Sequence, residues 1–270
     1  MRIRHTYAFE AYGVGIAINT NKSASIEAIK ARLPAHLPRE VREISPARAE
    51  HLFTYEWRSD GADNLFDETN GSLAINLERS ACVDLLCSYL RLKVAEFARN
   101  RVFVHAGVVS WKGKAIVIPG TSYSGKTTLT AALVRQGARY YSDEYAVLDK
   151  TGRVEPYPKP LSIRIDYETG EQVDHPVEAF GGKAGTRRLP VGLVIITSYK
   201  ENARWNPREL SKGDGMVEIL KHTVPIRRDP AFVLGVLAKV AADAVVVRSN
   251  RREADVTASK ILNLMDEHAR

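Results

Sequence analysis

Residues 120–128 read Gly-Thr-Ser-Tyr-Ser-Gly-Lys-Thr-Thr, and this stretch decides the fold. It fits the pattern G-x-x-x-x-G-K-[ST], follows an apolar run at 115–118 and opens a segment of helical composition at 129–134. A loop between a strand and a helix directs backbone N–H groups inward, and the helix N-terminus adds the positive end of its dipole. The stretch therefore predicts a phosphate-binding loop, made by Gly120, Thr121, Ser122, Tyr123, Ser124, Gly125, Lys126, Thr127 and Thr128.

Two side chains of this loop have specific tasks in the predicted site. Lys126 is placed to reach the β- and γ-phosphates of a nucleotide, and the Thr127 hydroxyl is placed to ligate Mg²⁺. The sequence therefore predicts ATP and Mg²⁺ as cofactors.

Size and composition limit the class of protein. The chain has 270 residues, of which 44% are hydrophobic and 26% charged, values typical of a globular enzyme of one large or two small domains. The net charge of +7 and the pI of about 9.3 favour an acidic ligand such as ATP, or an acidic peptide. The basic residues form short clusters and no long tract, so we do not expect nucleic acid as a partner.

Cysteine usage and hydropathy predict a cytoplasmic protein. Cys82 and Cys87 fall in one predicted helix and point in different directions, so we expect reduced thiols and no disulfide. The start of the chain leads into a strand-like segment and does not resemble a cleavable signal. No apolar run approaches the ~18 residues of a membrane span, so no membrane contact is predicted.

Hydrophobic periodicity divides the chain near residue 100, into an N-terminal α/β region of residues 1–99 and a P-loop domain of residues 100–270. The N-terminal elements are predicted as a strand over 7–19 bent at its glycines, a helix over 25–33 ended by Pro34, strands at 52–58 and 73–77, and an amphipathic helix over 80–98. The later elements are predicted as a strand over 138–142, a buried strand over 191–197, a helix within 224–242, a strand over 244–248 and a helix over 253–265.

A strand-turn-strand precedes the loop. Residues 102–110 and 114–119 flank the turn Lys112-Gly113, and in a hairpin centred there the numbers of paired residues sum to 225. That register places His105 opposite Gly120, at the mouth of the loop. We expect His105 either to contact the phosphates or the acceptor, or to be a histidine of the core.

Two adjacent acids follow the helix after the loop. Asp143 and Glu144 come directly after the strand 138–142, and strand, helix and strand predict a right-handed βαβ unit. Ligands in such sheets bind at the carboxyl ends of the strands, so the two acids are expected beside the phosphates. One carboxylate would hold Mg²⁺ and the other would deprotonate an accepting hydroxyl. The strand 191–197 ends without an Asp, which argues against an ordinary GTPase or ABC-type ATPase.

Basic residues further along the chain are weaker candidates. Arg227 and Arg228 precede a predicted helix and could stabilise a transferring phosphoryl group, although paired arginines are common on surfaces. Arg164 has a similar case. The stretch 181–188 is expected to be a mobile basic loop that covers substrate or connects elements.

Together these residues resemble the HPr kinase/phosphorylase catalytic domain over about residues 100–250. The motifs are His105 with fourteen residues between it and Gly120, the loop itself, and Ser142-Asp143-Glu144 after one helix. The stretch 224–228 resembles the basic segment of that family. Glu144 stands where the family has a second Asp, so the chain is most similar to divergent HPr-kinase-related proteins.

The resemblance implies a phosphoenolpyruvate-carboxykinase-like P-loop fold, a mixed central sheet with flanking helices, and phosphate transfer to a protein serine. It implies that Lys126 and Thr127 bind ATP-Mg²⁺, that Asp143 is the base, that Glu144 helps to hold the metal, and that His105 lies in the same site. It also implies a homo-oligomer.

The leading hypothesis is therefore an ATP- and Mg²⁺-dependent kinase whose acceptor is a hydroxyl, most simply a serine of a protein or peptide. Two alternatives stay open on the sequence. One is a kinase of a small, sugar-like molecule, and the other is a non-catalytic ATP-binding regulatory protein.

Overall fold

The computed structural model describes residues 3–38, 41–121, 124–164 and 172–268. These residues form a mixed α/β structure with six α-helices and several sheets. The chain divides into two compact units, Met1–Arg99 and Asn100–Arg270. None of the described helices is both long and apolar enough to cross a bilayer.

The first unit is one six-stranded sheet with two helices that pack on each other. Its strands are β1 (His5–Ala11), β2 (Val14–Thr20), β3 (Arg42–Glu43), β4 (His51–Glu56), β5 (Ala62–Asp67) and β6 (Gly71–Glu78), and its helices are α1 (Ser23–His36) and α2 (Arg79–Phe97). The strand order is β3-β1-β2-β4-β5-β6. The strands predicted at 52–58 and 73–77 and the helix predicted at 80–98 are confirmed as β4, β6 and α2.

Two predictions for this unit are wrong. The segment 7–19 is a hairpin of two strands and not one bent strand, because Tyr12 and Gly13 both have positive φ (51° and 78°) and make a two-residue turn. Pro34 does not end α1, which continues to His36. A proline in the last turn removes only one hydrogen bond close to the point where the helix stops.

The cysteines behave as predicted. Cys82 and Cys87 are free, buried thiols of α2, and burial raises their pKa to about 11 and about 12. They are protonated packing residues at neutral pH.

The second unit contains an eight-stranded sheet, a two-stranded hairpin and four helices. Its first strands and helix are β7 (Arg101–Trp111), β8 (Lys114–Pro119), α3 (Lys126–Arg135), β9 (Arg139–Ser142), β10 (Tyr145–Asp149) and β11 (Val154–Glu155). The elements that follow are β12 (Leu161–Arg164), β13 (Gln172–His175), β14 (Val191–Tyr199), β15 (Arg208–Glu209), α4 (Lys212–Leu220), α5 (Pro230–Asp243), β16 (Val245–Arg251) and α6 (Ala254–Glu267). Each later element predicted from the sequence is present, as β9, β14, α5, β16 and α6.

The eight-stranded sheet has helices on both faces. Its order is β11-β10-β7-β8-β14-β16-β15, and β9 also pairs with β7. β8, β14 and β16 run parallel, and their side chains alternate between two apolar clusters. One cluster lies against α3 and α6, and the other against α4 and α5. Burial on both faces explains why these strands read as continuous apolar runs.

The predicted register of the hairpin before the loop is confirmed. Trp111 pairs with Lys114 and Ala106 with Pro119, so the numbers of paired residues sum to 225. The turn residues Lys112 and Gly113 both have positive φ, which fixes a two-residue turn and leaves no freedom in register.

The βαβ prediction needs one correction. β8 and β9 run in the same direction, but they are not neighbours, because β7 lies between them and is antiparallel to both. β8 ends opposite Ala106 and β9 ends opposite Val108. The carboxyl ends of the two strands therefore meet at the same level on opposite sides of β7, and the phosphate loop and the two acids start there.

Candidate functional site

The loop leaves the sheet at a fixed point. The Gly120 N–H donates to the His105 carbonyl at 3.2 Å, which is the last hydrogen bond of the hairpin. Gly125 caps α3 in the left-handed region (φ 79°), a conformation that favours glycine. Ser122 and Tyr123 lie outside the described residues. The described part is a strand, a glycine-punctuated loop and a helix, the arrangement that presents backbone N–H groups to an anion.

Lys126 is buried in the first turn of α3. Its side chain turns back, and Nζ donates to the Thr121 carbonyl at 2.7 Å. Burial lowers the pKa of Lys126 to about 8, although Glu144 and Asp143 oppose this shift. A bound anion would favour the charged ammonium and raise this pKa again.

Thr127 connects the loop to the acids. Its Oγ1 donates to Oδ2 of Asp143 at 3.2 Å. Asp143 is only 6% exposed and lies between the end of β9 and the start of β10. The Ser142 hydroxyl accepts from the backbone N–H of Glu144 and Tyr145, at 3.0 and 2.9 Å, and this fixes the turn that carries both acids.

Asp143 sits among several donors. Besides Thr127, the Tyr140 hydroxyl and the Ser162 N–H each approach its carboxylate to 3.2 Å. Burial raises the pKa of Asp143; the Lys159 charge opposes this rise and Glu144 adds to it. A carboxylate in this position is more basic than an exposed one, which suits a group that takes a proton.

Lys159 supplies a second buried ammonium. It is 4% exposed, and Nζ donates to Ser162 Oγ at 2.7 Å. The same serine hydroxyl donates to Asp174 at 2.5 Å, and the Lys159 carbonyl accepts from the Tyr140 hydroxyl at 2.5 Å. The hairpin β12–β13 is thereby connected to the acid by side chains and by the Ser162 backbone.

Gly107 lets helix α3 approach β7 closely. A Cβ at this position would clash with Thr130 Oγ1 and would come within 3.7 Å of the Lys126 carbonyl. Because Gly107 has no side chain, the first turn of α3 lies directly over β7. Thr127 can therefore reach across that strand to Asp143 on its far side.

His105 lies beside the second acid. Its Nε2 is 3.9 Å from Oε1 of Glu144, and its ring lies 6.0 Å from that of Tyr145. His105 faces Tyr145 in the register of β7 and β10. The side chain is partly exposed, at 26%, so it is not a histidine sealed in the core.

A second histidine occupies the other side of His105. The His105 N–H donates to the His222 carbonyl at 2.8 Å, and Val104 bridges Thr223 in antiparallel fashion. His222 is therefore the cross-strand partner of His105, on the same face. Burial and the Lys126 charge lower the pKa of His222. Residues 222–224 pair with the same edge of β7 as β8 does, beyond the point where β8 ends and the loop begins.

The remaining basic candidates lie on other elements of the second unit. Arg227 and Arg228 are exposed in and after a short 3-10 turn, Pro225–Arg227, which follows the segment paired to β7. Arg164 is the last residue of β12, two positions after Ser162.

The basic stretch 181–188 is held against the sheet, so the expectation of a mobile loop finds no support in its backbone contacts. Tyr140 N–H donates to the Lys183 carbonyl at 3.0 Å, and Gly185 N–H donates to the Tyr140 carbonyl at 2.7 Å. Arg188 pairs with Glu155 at 2.7 Å. This segment supports β9, the strand that ends at the acids.

An arginine lies behind the loop. Arg251, the last residue of β16, is 3% exposed and donates from Nη2 to the Gly125 carbonyl at 3.0 Å. The adjacent parallel strand β14 passes through Thr197, as expected from the sequence, with no acid at its end.

The side-chain oxygens beside the loop bear on whether the site can hold Mg²⁺. Among the described residues, no group of three or more His, Cys, Asp or Glu side chains could hold a metal on its own. Mg²⁺ bound with a nucleotide takes one or two protein oxygens together with phosphate oxygens and water. Thr127, Asp143 and Glu144 offer such oxygens beside the loop, so the residues fit a metal that arrives with the nucleotide.

The excess positive charge is confined to one unit. Acidic and basic residues balance over residues 1–99, and the whole net charge of +7 falls in residues 100–270. The excess positive charge of the unit that contains the loop suits an anionic ligand.

Comparisons with known proteins give little information. No family model matches the chain, and no curated protein matches it. Among solved structures, it is similar to the Hpr(Ser) kinase/phosphatase from Coxiella burnetii, with 17% sequence identity and a TM-score of 0.35. The match covers 62% of this chain and 95% of that one. A similarity this loose assigns neither fold nor function, and the proposals below depend on the residues described above.

Four side chains of the site were not predicted from the sequence. Tyr140 lies on β9, three residues before Asp143, while Lys159 and His222 reach the site from distant segments and Arg251 reaches it from the end of β16. The position of Lys159 close before Ser162 and Arg164 was a usable signal, but nothing local marks His222 or Arg251.

Proposed function

We propose that the chain is an ATP-dependent kinase that transfers the γ-phosphate to a hydroxyl group, most simply a serine of a protein or peptide. The observation that supports this most is the hydrogen bond from Thr127 to Asp143, because it places a buried carboxylate against the first turn of a phosphate-binding helix. The proposal includes a phosphoenolpyruvate-carboxykinase-like catalytic domain over residues 100–270 and a cytoplasmic location.

Each residue has a role in the proposed reaction. The loop N–H groups and the Lys126 ammonium bind the phosphates and offset their charge. Asp143 accepts the proton of the acceptor hydroxyl, whose oxygen forms a bond to the γ-phosphorus. The bond from that phosphorus to the bridging oxygen of ADP breaks, and ADP leaves with the electron pair.

Mg²⁺, when bound with the nucleotide, would be held by Thr127 and Glu144 and would neutralise charge on the transferring phosphate. His105, 3.9 Å from Glu144, would orient that carboxylate. Arg227 and Arg228 would meet the acceptor from the exposed turn after residues 222–224. An acceptor rich in acidic residues fits the positive charge of this unit.

Transfer of labelled phosphate from ATP to serine peptides tests the proposal. The parent protein should transfer, and Lys126→Ala should lose at least about 100-fold in kcat/KM. Asp143→Asn should lose a similar factor in kcat with little change in the Mg²⁺ concentration for half-maximal rate. Glu144→Gln should instead raise that concentration.

The alternatives give different results. Turnover with small sugar-like alcohols and none with peptides would replace the peptide acceptor by a metabolite. Tight ATP binding with no transfer to any acceptor would leave a nucleotide-binding regulatory protein. If Asp143→Asn transferred phosphate as fast as the parent, its role as base would be wrong.

A further inference from the structure

Arg251 is a buried cation without a carboxylate partner in the part of the chain that the structure describes. It is 3% exposed, and no ion pair joins it to a described acid. Its Nε is buried and makes no hydrogen bond. The charge of Glu253 and the Tyr199 ring, 5.8 Å from the guanidinium carbon, compensate part of its burial. A buried charge that no carboxylate contacts directly is still costly, so this guanidinium calls for an explanation.

The hydrogen bonds of Arg251 go to the back of the phosphate loop. Nη2 donates to the carbonyls of Gly125, at 3.0 Å, and of Ser124, at 3.5 Å, while Nη1 donates to the Arg252 carbonyl at 3.0 Å. In such a loop the carbonyls point away from the anion and the N–H groups point toward it. The guanidinium therefore lies directly beneath the surface that receives phosphate.

The loop is shaped to admit this side chain. A Cβ on Gly125 would clash with Nη2 of Arg251, so glycine is needed here for contact as well as for its positive φ. The Gly125 carbonyl already accepts the Leu129 N–H at 3.1 Å. The guanidinium is therefore not required to satisfy that carbonyl, and its charge is what it adds.

We infer that Arg251 is a positioning residue whose buried charge, acting through the loop backbone, strengthens binding of the nucleotide phosphates. The inference rests on the proposed nucleotide site. It assigns the remaining compensation, beyond that from Glu253 and Tyr199, to the ligand: the phosphates stabilise the guanidinium, and the guanidinium stabilises the bound phosphates. A buried cation directly behind the loop backbone, in a medium of intermediate dielectric, should change phosphate affinity by roughly tenfold.

The test measures the dissociation constant of Mg-ADP for the full chain and for single variants. Arg251→Gln should bind roughly tenfold more weakly, since it keeps polar contacts and loses the charge. Arg251→Lys should stay within about threefold of the parent, since it keeps the charge. Arg252→Gln removes the same charge from the adjacent exposed position and should change binding by less than about threefold.

Stability of the nucleotide-free protein separates this role from simple support of the fold. Arg251→Met removes a buried, unpaired charge, so its melting temperature should equal or exceed that of the parent. Should Arg251→Gln bind Mg-ADP as tightly as the parent, the inference is overturned. It is also overturned if Arg251→Met melts several degrees lower and Arg251→Lys binds no better than Arg251→Gln. A parent protein that binds no nucleotide would refute the proposed function itself.

Discussion

Thr127 and Asp143 are 16 residues apart in sequence, on opposite sides of strand β7, and a 3.2 Å hydrogen bond joins their side chains. Gly107 allows this, because a Cβ at its position would clash with Thr130 Oγ1 and would keep α3 from lying so close to β7. The phosphate loop and the acid turn thus form one site, although they belong to strands that do not pair with each other.

Replacing Asp143 by Asn should slow phosphate transfer by at least about 100-fold without weakening the fold. Burial raises the pKa of Asp143 above its ordinary value, so the folded state binds a proton more readily than the unfolded chain does. The free energy of unfolding should therefore fall as pH rises from the pKa of Asp143 in the unfolded chain to its higher pKa in the fold. At neutral pH the buried carboxylate destabilises the fold. Urea unfolding at neutral pH should give Asp143→Asn a free energy of unfolding equal to the parent or higher by about 1 kcal/mol. A marked loss would show that the carboxylate supports the structure.

Gly107→Ala should destabilise the second unit because its methyl group would meet Thr130 Oγ1. We expect a loss of about 1–3 kcal/mol in the free energy of unfolding, typical of overpacking. Thr130→Ala should be nearly neutral, since Thr130 Oγ1 is buried and makes no hydrogen bond. The double variant should recover most of the loss. Additive losses in this double-mutant cycle would contradict the proposed contact.

The buried ammonium of Lys126 should make stability rise at alkaline pH. Its pKa in the fold, about 8, lies below the ordinary value of 10.5, so the cost of burying the charge is fully present below pH 8. Between these two values the folded state gives up its proton first, and the free energy of unfolding should rise by up to roughly 3 kcal/mol. Comparison with Lys126→Met from about pH 7 to about pH 10 isolates this group. If the free energies of unfolding of the two proteins changed in parallel with pH, this effect of Lys126 would be contradicted.

Nucleotide binding should take up protons near pH 8. Phosphate favours the charged form of Lys126 and raises its pKa, so binding above pH 8 must protonate the amine. Calorimetric titration with ADP in two buffers of different ionisation enthalpy measures this uptake. Up to one proton per nucleotide is expected in the parent and none from this source in Lys126→Met.

In the first unit, Asp63 should be the acid most important for stability. It is fully buried, accepts from the Tyr55 hydroxyl at 2.5 Å and pairs with Arg79 at 3.0 Å. Burial alone would raise the pKa of Asp63, but hydrogen bonds from Arg79, Tyr55 and the Arg58 backbone outweigh it and lower the pKa. The Asp63 carboxylate therefore stabilises the fold above the ordinary carboxyl pKa. This stabilisation is lost as pH falls through the lower pKa that Asp63 has in the fold.

Asp63→Ala should therefore cost about 2–4 kcal/mol at neutral pH, because it leaves Tyr55 and Arg79 without their acceptor. Asp60→Ala, an exposed acid of the preceding turn, is the matched control and should have a much smaller effect. Chemical denaturation followed by tryptophan fluorescence measures both, since Trp57 stacks on Arg79 at 3.7 Å. Equal effects of the two variants would contradict the assignment.

The sequence was most informative where chemistry is local. The Lys112-Gly113 turn permits only one register for its hairpin, so the position of His105 opposite Gly120 followed from counting. Apolar runs and amphipathic spacing likewise predicted β14, α2 and α6, because burial on one or both faces sets the spacing of apolar residues along the sequence.

The errors arose where local signals compete. Tyr12 precedes Gly13 at a turn, but an aromatic residue with positive φ is uncommon, and the two strands read as one. A proline usually ends a helix. Pro34 lies in the last turn of α1, where it removes little helix stability.

Only part of the site was predictable, because some of its residues lie next to their own elements in sequence and others come from distant segments. The loop and the acids are adjacent in sequence to the elements that carry them. His222 and Lys159 enter through pairing with β7 and through the β12–β13 hairpin, which depends on how distant segments meet. Arg251 adjoins a second arginine, Arg252, and nothing local distinguishes the two, yet Arg251 is buried at the end of β16, where that strand pairs with β14.

The two-sided pairing of β7 also determines which part of the second unit is stiff. The His105 amide donates to His222 and its carbonyl accepts from Gly120, while the neighbouring Ala106 amide donates to the Glu144 carbonyl. These amides should exchange with deuterium only through opening of the whole unit, whether or not ligand is present. Any protection from exchange that depends on ligand should therefore begin after residue 120.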